Sequence, residues 1–154
     1  MLNPNQFADF VEATKSGGAT LDVQTGSLIG NDPKGPHGYI VGGEPNASGN
    51  RIETQRIPQS EFNQKTAHKA AQSIVSSADN SPGLGVGGWF DTEQDSPPVE
   101  IDAVRVHPTL KGAMGLAQQR GERAVWSTKL QQEIRTKEYF KNPQKFHDMV
   151  GEPL

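Results

Sequence analysis

The stretches LGVGGWFD (residues 84–91) and VEIDAVRVH (residues 99–107) decide the fold. The second is the clearest strand in the chain. Val99, Ile101 and Ala103 alternate with Glu100 and Asp102 at the two-residue period of a pleated strand. The apolar set then changes sides, to Val104 and Val106, which predicts a bulge or twist near Ala103. The first stretch completes a formal G-x-G-x-x-G at residues 83–88. A dinucleotide loop needs a strand before those glycines and a helix after them. Here the helical pattern comes before and the strand after. The glycines therefore read as a strand bare on part of one face, against which Trp126, the long helix or a partner can come close.

Working outward, the segment before the glycines is the main helix, about 61–78, with Ser60 as its cap. It carries Phe62, Ala67, Ala70, Ala71, Ile74, Val75 and Ala78 at helical spacing, and the run at 79–83 stops it. Residues 51–57 alternate as an exposed strand, expected to form a hairpin with Tyr39, Ile40 and Val41. Residues 20–23 form a short strand before a turn at Thr25-Gly26, and residues 30–38 a loop dense in turn formers. After the second stretch, Thr109 caps a helix over 110–120, residues 123–127 form a strand, and 132–136 its return. A last helix opens at Asn142-Pro143 and carries Phe146, Met149 and Val150.

The N-terminal residues 3–16 read as a helix with Asn3 as cap, Pro4 at its first position and Gly17-Gly18 at its end. Phe7, Phe10, Val11 and Thr14 share one face. That face packs either on its own core, the commoner fate, or on a partner subunit. The expected organisation is an N-terminal amphipathic helix (1–18), an α+β domain (19–136) and a C-terminal helical tail (137–154). The fold class is α+β, a small antiparallel or mixed sheet with helices on one face and extended Gly/Pro-rich loops.

The 154 residues suit one domain. Leu, Ile, Val and Phe make only about a fifth of them, so the core is thin, yet a net charge of −3 is too small to keep the chain unfolded. The 17 Gly and 11 Pro mark long loops. Without Cys there is no disulfide, thiolate metal site or thiol nucleophile. The N-terminus has no signal-peptide pattern, and no stretch approaches the ~20 apolar residues of a membrane span. An acidic chain is not expected to bind nucleic acid directly.

Asp91, Glu93, Asp95, Glu100 and Asp102 gather around one hairpin. Glu100 and Asp102, two apart, lie on one strand face, the placement a general acid and base or a divalent cation would need. No His or Asn completes such a set, so a solvated face with turn-forming Asp is the simpler account. His37, His68, His107 and His147 show no metal or triad spacing. Asn46-Ala47-Ser48 matches a glycosylation sequon, with nothing to suggest secretion. Trp89 and Phe90 are adjacent on a strand and so point to opposite faces. Phe7, Phe10, Val11, Trp89, Phe90, Phe146 and Met149 are the interface candidates. Neither a catalytic set, a cofactor, a metal nor a small-molecule substrate is expected.

Thr25-Gly26, Gly38-Tyr39-Ile40-Val41, Gly87-Gly88-Trp89-Phe90-Asp91, Ile101-Asp102 and Ala124-Val125-Trp126 stand in an order that resembles a domain of actinobacterial hypothetical proteins and of actinophage and prophage genes. The resemblance covers roughly residues 20–136 and carries no assigned activity. It departs near residues 129–134, where KLQQEI replaces the usual Thr-Gly-Glu-Glu-Ile. It implies a phage-encoded accessory protein working through contact with other phage proteins or with itself, in the virion or the host cytoplasm. A virion structural component is the first expectation. An inhibitor of a host or defence protein, its acidic hairpin mimicking nucleic acid, is the second. An enzyme using the acidic cluster is the third.

Overall fold

The structure, a computed structural model, describes residues 4–30, 37–78, 83–90 and 94–154. The expected cap Asn3, the helix stop at 79–82 and the carboxylates Asp91 and Glu93 lie outside the described residues. A 3-10 turn at Pro4–Phe7 leads into α1 (Ala8–Lys15), followed by β1 (Gly18–Asp22), β2 (Leu28–Ile29), β3 (Tyr39–Val41) and β4 (Gln55–Ile57). A second 3-10 turn at Gln59–Glu61 precedes α2 (Gln64–Ser77), then β5 (Gly85–Trp89) and β6 (Val99–His107). The chain closes with α3 (Leu110–Arg120), β7 (Ala124–Ser127), β8 (Gln132–Arg135), α4 (Thr136–Lys141) and α5 (Pro143–Val150). The fold is α+β with antiparallel strand pairing throughout the described residues. No helix among them is long and apolar enough to cross a membrane.

Contacts divide the chain into two compact units, residues 1–29 with 43–104, and residues 30–42 with 105–154. In the first unit the strand order is β2-β1-β5-β6, with β4 also on β6. Its core joins Phe7, Phe10 and Val11 to Leu21, Ile74, Val86, Ile101 and Ala103. In the second unit β3 pairs with both β7 and the end of β6, and β8 flanks β7. Its core collects Tyr39, Val41, Leu110, Met114, Val125, Ile134, Tyr139, Phe146 and Val150.

The β5 glycines set the close packing of the first unit. Gly88 lies under α1: a Cβ there would stand 2.8 Å from both Phe10 Cζ and Thr14 Oγ1. On the opposite face a Cβ at Gly87 would stand 2.8 Å from a Val104 methyl, and one at Gly85 3.2 Å. The bare strand thus receives the N-terminal helix on one side and Val104 on the other. The close approach expected at these glycines is made, within the unit, by α1 and Val104. The same packing excludes the bulge, one of the two alternatives expected near Ala103. The β5–β6 register runs unbroken from Gly85↔Val104 to Trp89↔Glu100. Val104 is buried on the Glu100/Asp102 side because the glycines leave it room.

Two other expectations fail for identifiable reasons. Residues 55–57 pair with β6, opposite Ile101, Glu100 and Val99, and not with β3. The connection between β3 and β4 folds on itself instead: Pro45 bridges Arg51, and the Asn46 side chain accepts from Ser48 N–H at 3.0 Å and Asn50 N–H at 2.9 Å. That use of Asn46 is the turn chemistry of an Asx residue. The cap of α2 is Asn63, not Ser60. Asn63 and Thr66 exchange side-chain and backbone hydrogen bonds, both 3.0 Å, in a capping box. Ser60 is taken up by the 3-10 turn. By contrast α3 has the expected Thr109 cap and ends on left-handed Gly121, and α5 has the expected Asn142-Pro143 start.

Gly88→Ala should destabilise the first unit by ~1–3 kcal/mol, since both groups it meets are fully buried and cannot move aside. Gly115→Ala, on the exposed side of α3 with open space around it, should instead stabilise by ~0.5–1 kcal/mol. Urea-unfolding midpoints of the two variants against wild type decide it. Equal shifts of the same sign would refute the close-packing account.

Candidate functional site

Glu100 and Asp102 do share one face of β6, as their spacing requires. Each is committed to a partner that holds structure. Glu100 pairs with Arg56 of the neighbouring β4 at 3.2 Å, an exposed cross-strand pair worth a fraction of a kcal/mol, on the order of 0.2–1. Asp102 receives Gly43 N–H at 2.9 Å on one oxygen, and Ala103 N–H at 2.9 Å with the Thr54 hydroxyl at 3.3 Å on the other. It fastens the chain at Gly43 and Thr54 to the sheet. Burial pushes its pKa up despite these three donors, and the charge of Glu100 adds to the rise. Asp95 is exposed. Among the described residues no group of three His, Asp or Glu stands close enough to hold a metal ion.

The second unit holds a buried polar network absent from the sequence reading. Tyr39 of β3 donates its hydroxyl to Glu152 Oε2, and Leu110 N–H at the start of α3 donates to Glu152 Oε1 at 2.9 Å. A carboxylate at a helix N-terminus meets both free N–H groups and the positive end of the helix dipole. His147, 1% exposed, lies between Tyr139 and the same C-terminal segment. Its Nδ1 faces the Glu152 carbonyl at 3.2 Å, which can only accept, so Nδ1 carries the proton. Nε2 then accepts the Tyr139 hydroxyl at 2.7 Å. Lys129 donates to the Val150 carbonyl at 2.6 Å. Together these bonds tie the end of the chain to β3 and α3. Of the four His, only His147 is fully buried. His68 stacks edge-on against Phe7 at 5.4 Å, and His37 is exposed.

Of the interface candidates, Phe7, Phe10 and Val11 are buried in the core of the first unit and Phe146 in that of the second. Trp89 and Phe90 are both half-buried. Met149 is the one that stays open, at 41% exposure. The large apolar side chains exposed among the described residues are Val106, Phe140, Met149 and Leu154, all in the second unit. Sequence reading missed Phe140, because the short helix α4 was not anticipated. Its signal was the run from Thr136 to Lys141, in which Tyr139 alone is buried and Phe140, one residue on, must turn outward.

These exposed groups sit in a basic setting. On α4, Lys137, Phe140 and Lys141 fall at i, i+3 and i+4, all exposed. On α5, Lys145 and Met149 fall at i and i+4, and Lys145 Nζ lies 5.3 Å from the Phe146 ring centroid. The second unit has ten Lys and Arg against six Asp and Glu, a net +4. The first has five against twelve, a net −7. The modest charge of the whole chain conceals this separation. Compared with known proteins, the chain matches no family, no curated protein and no solved structure.

The tyrosine network makes a direct prediction. Burial, then the hydrogen bond and charge of Glu152, push the Tyr39 hydroxyl far above its ordinary value. Burial, then the charge of Glu152, raise Tyr139. A folded pKa above the unfolded one gives stability that is complete below about pH 10 and is lost as pH rises beyond it. The chain's 2 tyrosines are both in this network, so tyrosinate absorbance reports on nothing else. In an alkaline titration tyrosinate should appear together with the loss of near-ultraviolet circular dichroism. Independent ionisation near pH 10 with structure intact would contradict the assignment.

Proposed function

We propose that this chain is a phage-encoded, non-catalytic accessory protein that works by protein–protein contact, as a structural component of the virion. The observation that carries the reading is that Phe140 on α4 and Met149 on α5 are each 41% exposed, with the exposed Lys137 and Lys141 on the helix of the first and the exposed Lys145 on that of the second. Single exposed apolar side chains are ordinary. Two on successive helices, each accompanied by lysine, form a pattern suited to a partner that is apolar at its centre and acidic at its rim. The use made of the polar groups supports the same reading. Asp102, Tyr39, Tyr139 and His147 are hydrogen-bonded to groups that hold the fold, and Glu100 is paired with Arg56 across the sheet. The resemblance of residues 20–136 to a domain of actinophage genes supports the phage setting.

A second reading has its own observation. The net −7 of the first unit suits an inhibitor of a host protein that normally holds a polyanion. Mass spectrometry of purified particles separates the two. The chain should be present at a reproducible copy number, with cross-links from the segment 137–149 to a structural protein or to itself. Absence from particles, with recovery of one host protein on the full-length chain, would replace the virion reading by the second.

A further inference from the structure

We infer that the first unit binds a primary ammonium group in a slot over Gly87, between Thr20 and Asp102, on the sheet face opposite α1. The site goes beyond the contact reading above and uses no residue of α4 or α5.

Strand pairing builds the slot. Thr20 of β1 stands opposite Gly87 of β5, and Gly87 opposite Asp102 of β6, so the three form one row across the sheet and share a face. Neighbouring strands lie about 4.8 Å apart, so the backbones of Thr20 and Asp102 are roughly 10 Å apart, and Gly87 puts no side chain between them. The next row holds Gly18, Trp89 and Glu100, with Arg56 beyond. Toward Gly85 the slot is closed: a Cβ there would stand 3.2 Å from a Val104 methyl and 3.3 Å from the Thr20 methyl. Val104 also reaches Gly87 and gives the slot an apolar wall. The Thr20 hydroxyl, on the other branch of its Cβ, is turned from the closed end.

Thr20 is only 5% exposed, yet among the described residues its hydroxyl makes no hydrogen bond. Nor is that hydroxyl sealed from solvent. A nearly buried polar group without a partner is costly, and a ligand that donates to it removes the cost. Across Gly87, Asp102 keeps its three bonds and faces the slot as a fixed negative charge. Glu100 adds a second charge, and Arg56 answers one of the two. Burial first, and the charge of Glu100 last, push the Asp102 pKa up, and a cation in the slot would oppose that rise. The fitting group therefore donates hydrogen bonds and is positive. A metal ion would need a third carboxylate or imidazole, and no such group of three stands together among the described residues. A guanidinium is a wide planar fork, poorly matched to a slot one residue across. A primary ammonium is a compact charge with three donors, and the half-buried Trp89 in the next row offers a ring to its carbon stem.

Amide NMR of the full chain, titrated with n-butylammonium chloride at constant ionic strength, tests this. The Gly43, Gly87 and Ala103 amides should shift together and saturate, with a Kd on the order of 1–10 mM for so small a ligand. Tetramethylammonium has the charge but no N–H, and should bind at least ~10-fold more weakly. Thr20→Val keeps the shape of the side chain and removes the hydroxyl. With its spectrum otherwise that of wild type, it should weaken n-butylammonium binding ~10-fold. Glu100→Gln should weaken it about 3-fold through charge alone. Tighter binding of Nα-acetyl-lysine amide than of n-butylammonium assigns the group to a lysine of a partner protein, and the reverse order to a free amine. The inference is overturned by the absence of a saturating shift up to about 50 mM. Equal binding of tetramethylammonium overturns it too, as does a folded Thr20→Val variant that binds like wild type.

Discussion

Contact between α1 and the glycine strand is the constraint on which the first unit depends. Phe10 and Thr14 occupy the space that a side chain at Gly88 would fill, and the Thr14 hydroxyl turns back to the Phe10 carbonyl at 2.7 Å, so no polar group is left to water. Helices usually meet a sheet through a layer of side chains from both partners. Here the sheet contributes backbone, and the helix comes closer by that layer. A chain with few large apolar residues can bury a core this way, because bare strand area removed from water does not require a large residue on each side. The opposite face repeats the device with Val104. Five residues of β5 thus seat packing on both sides with only Val86 and Trp89 carrying sizeable side chains.

What could be read from sequence follows the range of the interactions. Caps and stops are local chemistry, and Thr109, Asn142-Pro143 and Gly121 do what their types predict. The period-2 pattern of β6 gives its limits residue for residue. The partner of a strand is not local. Residues 55–57 carry no mark that selects Val99 and Ile101 over Tyr39 to Val41, and the decision rests on how the intervening loop folds on Pro45, Asn46 and Arg51. Val104 shows the same limit. Its change of side looks like an irregularity of β6 when read alone, and becomes regular once the neighbouring strand is known to be bare.

The buried network was illegible for the same reason. Tyr39 and Glu152 are 113 residues apart, and nothing near either announces the other. Asp102 was conspicuous, but its meaning was reversed by partners at Gly43 and Thr54, far away in sequence. Two partly buried carboxylates serve as fasteners. Asp102 joins a loop to β6, and Glu152 joins the chain end to β3 and to the first turn of α3. Each offers two oxygens with up to four acceptor sites, so a single side chain can hold several backbone donors that would otherwise be stranded.

That division of labour bears on where recognition can occur. A side chain that secures the fold cannot be recruited to a partner without releasing what it holds, at the cost of an unsatisfied buried group, on the order of 1–3 kcal/mol. Surface groups carry no such penalty. Lys137, Phe140, Lys141, Lys145 and Met149 make no fold-securing hydrogen bond in the set described above, and Phe146 and Tyr139 behind them are held by their own core. Burial of Tyr139 and Phe146 sets the outward direction of their helical neighbours. The tyrosine–histidine–glutamate network fastens the segment after α5 to β3 and α3 through Glu152, and to Tyr139 of α4 through His147. A surface whose backbone is already anchored has less conformational entropy to lose than one that must first become ordered.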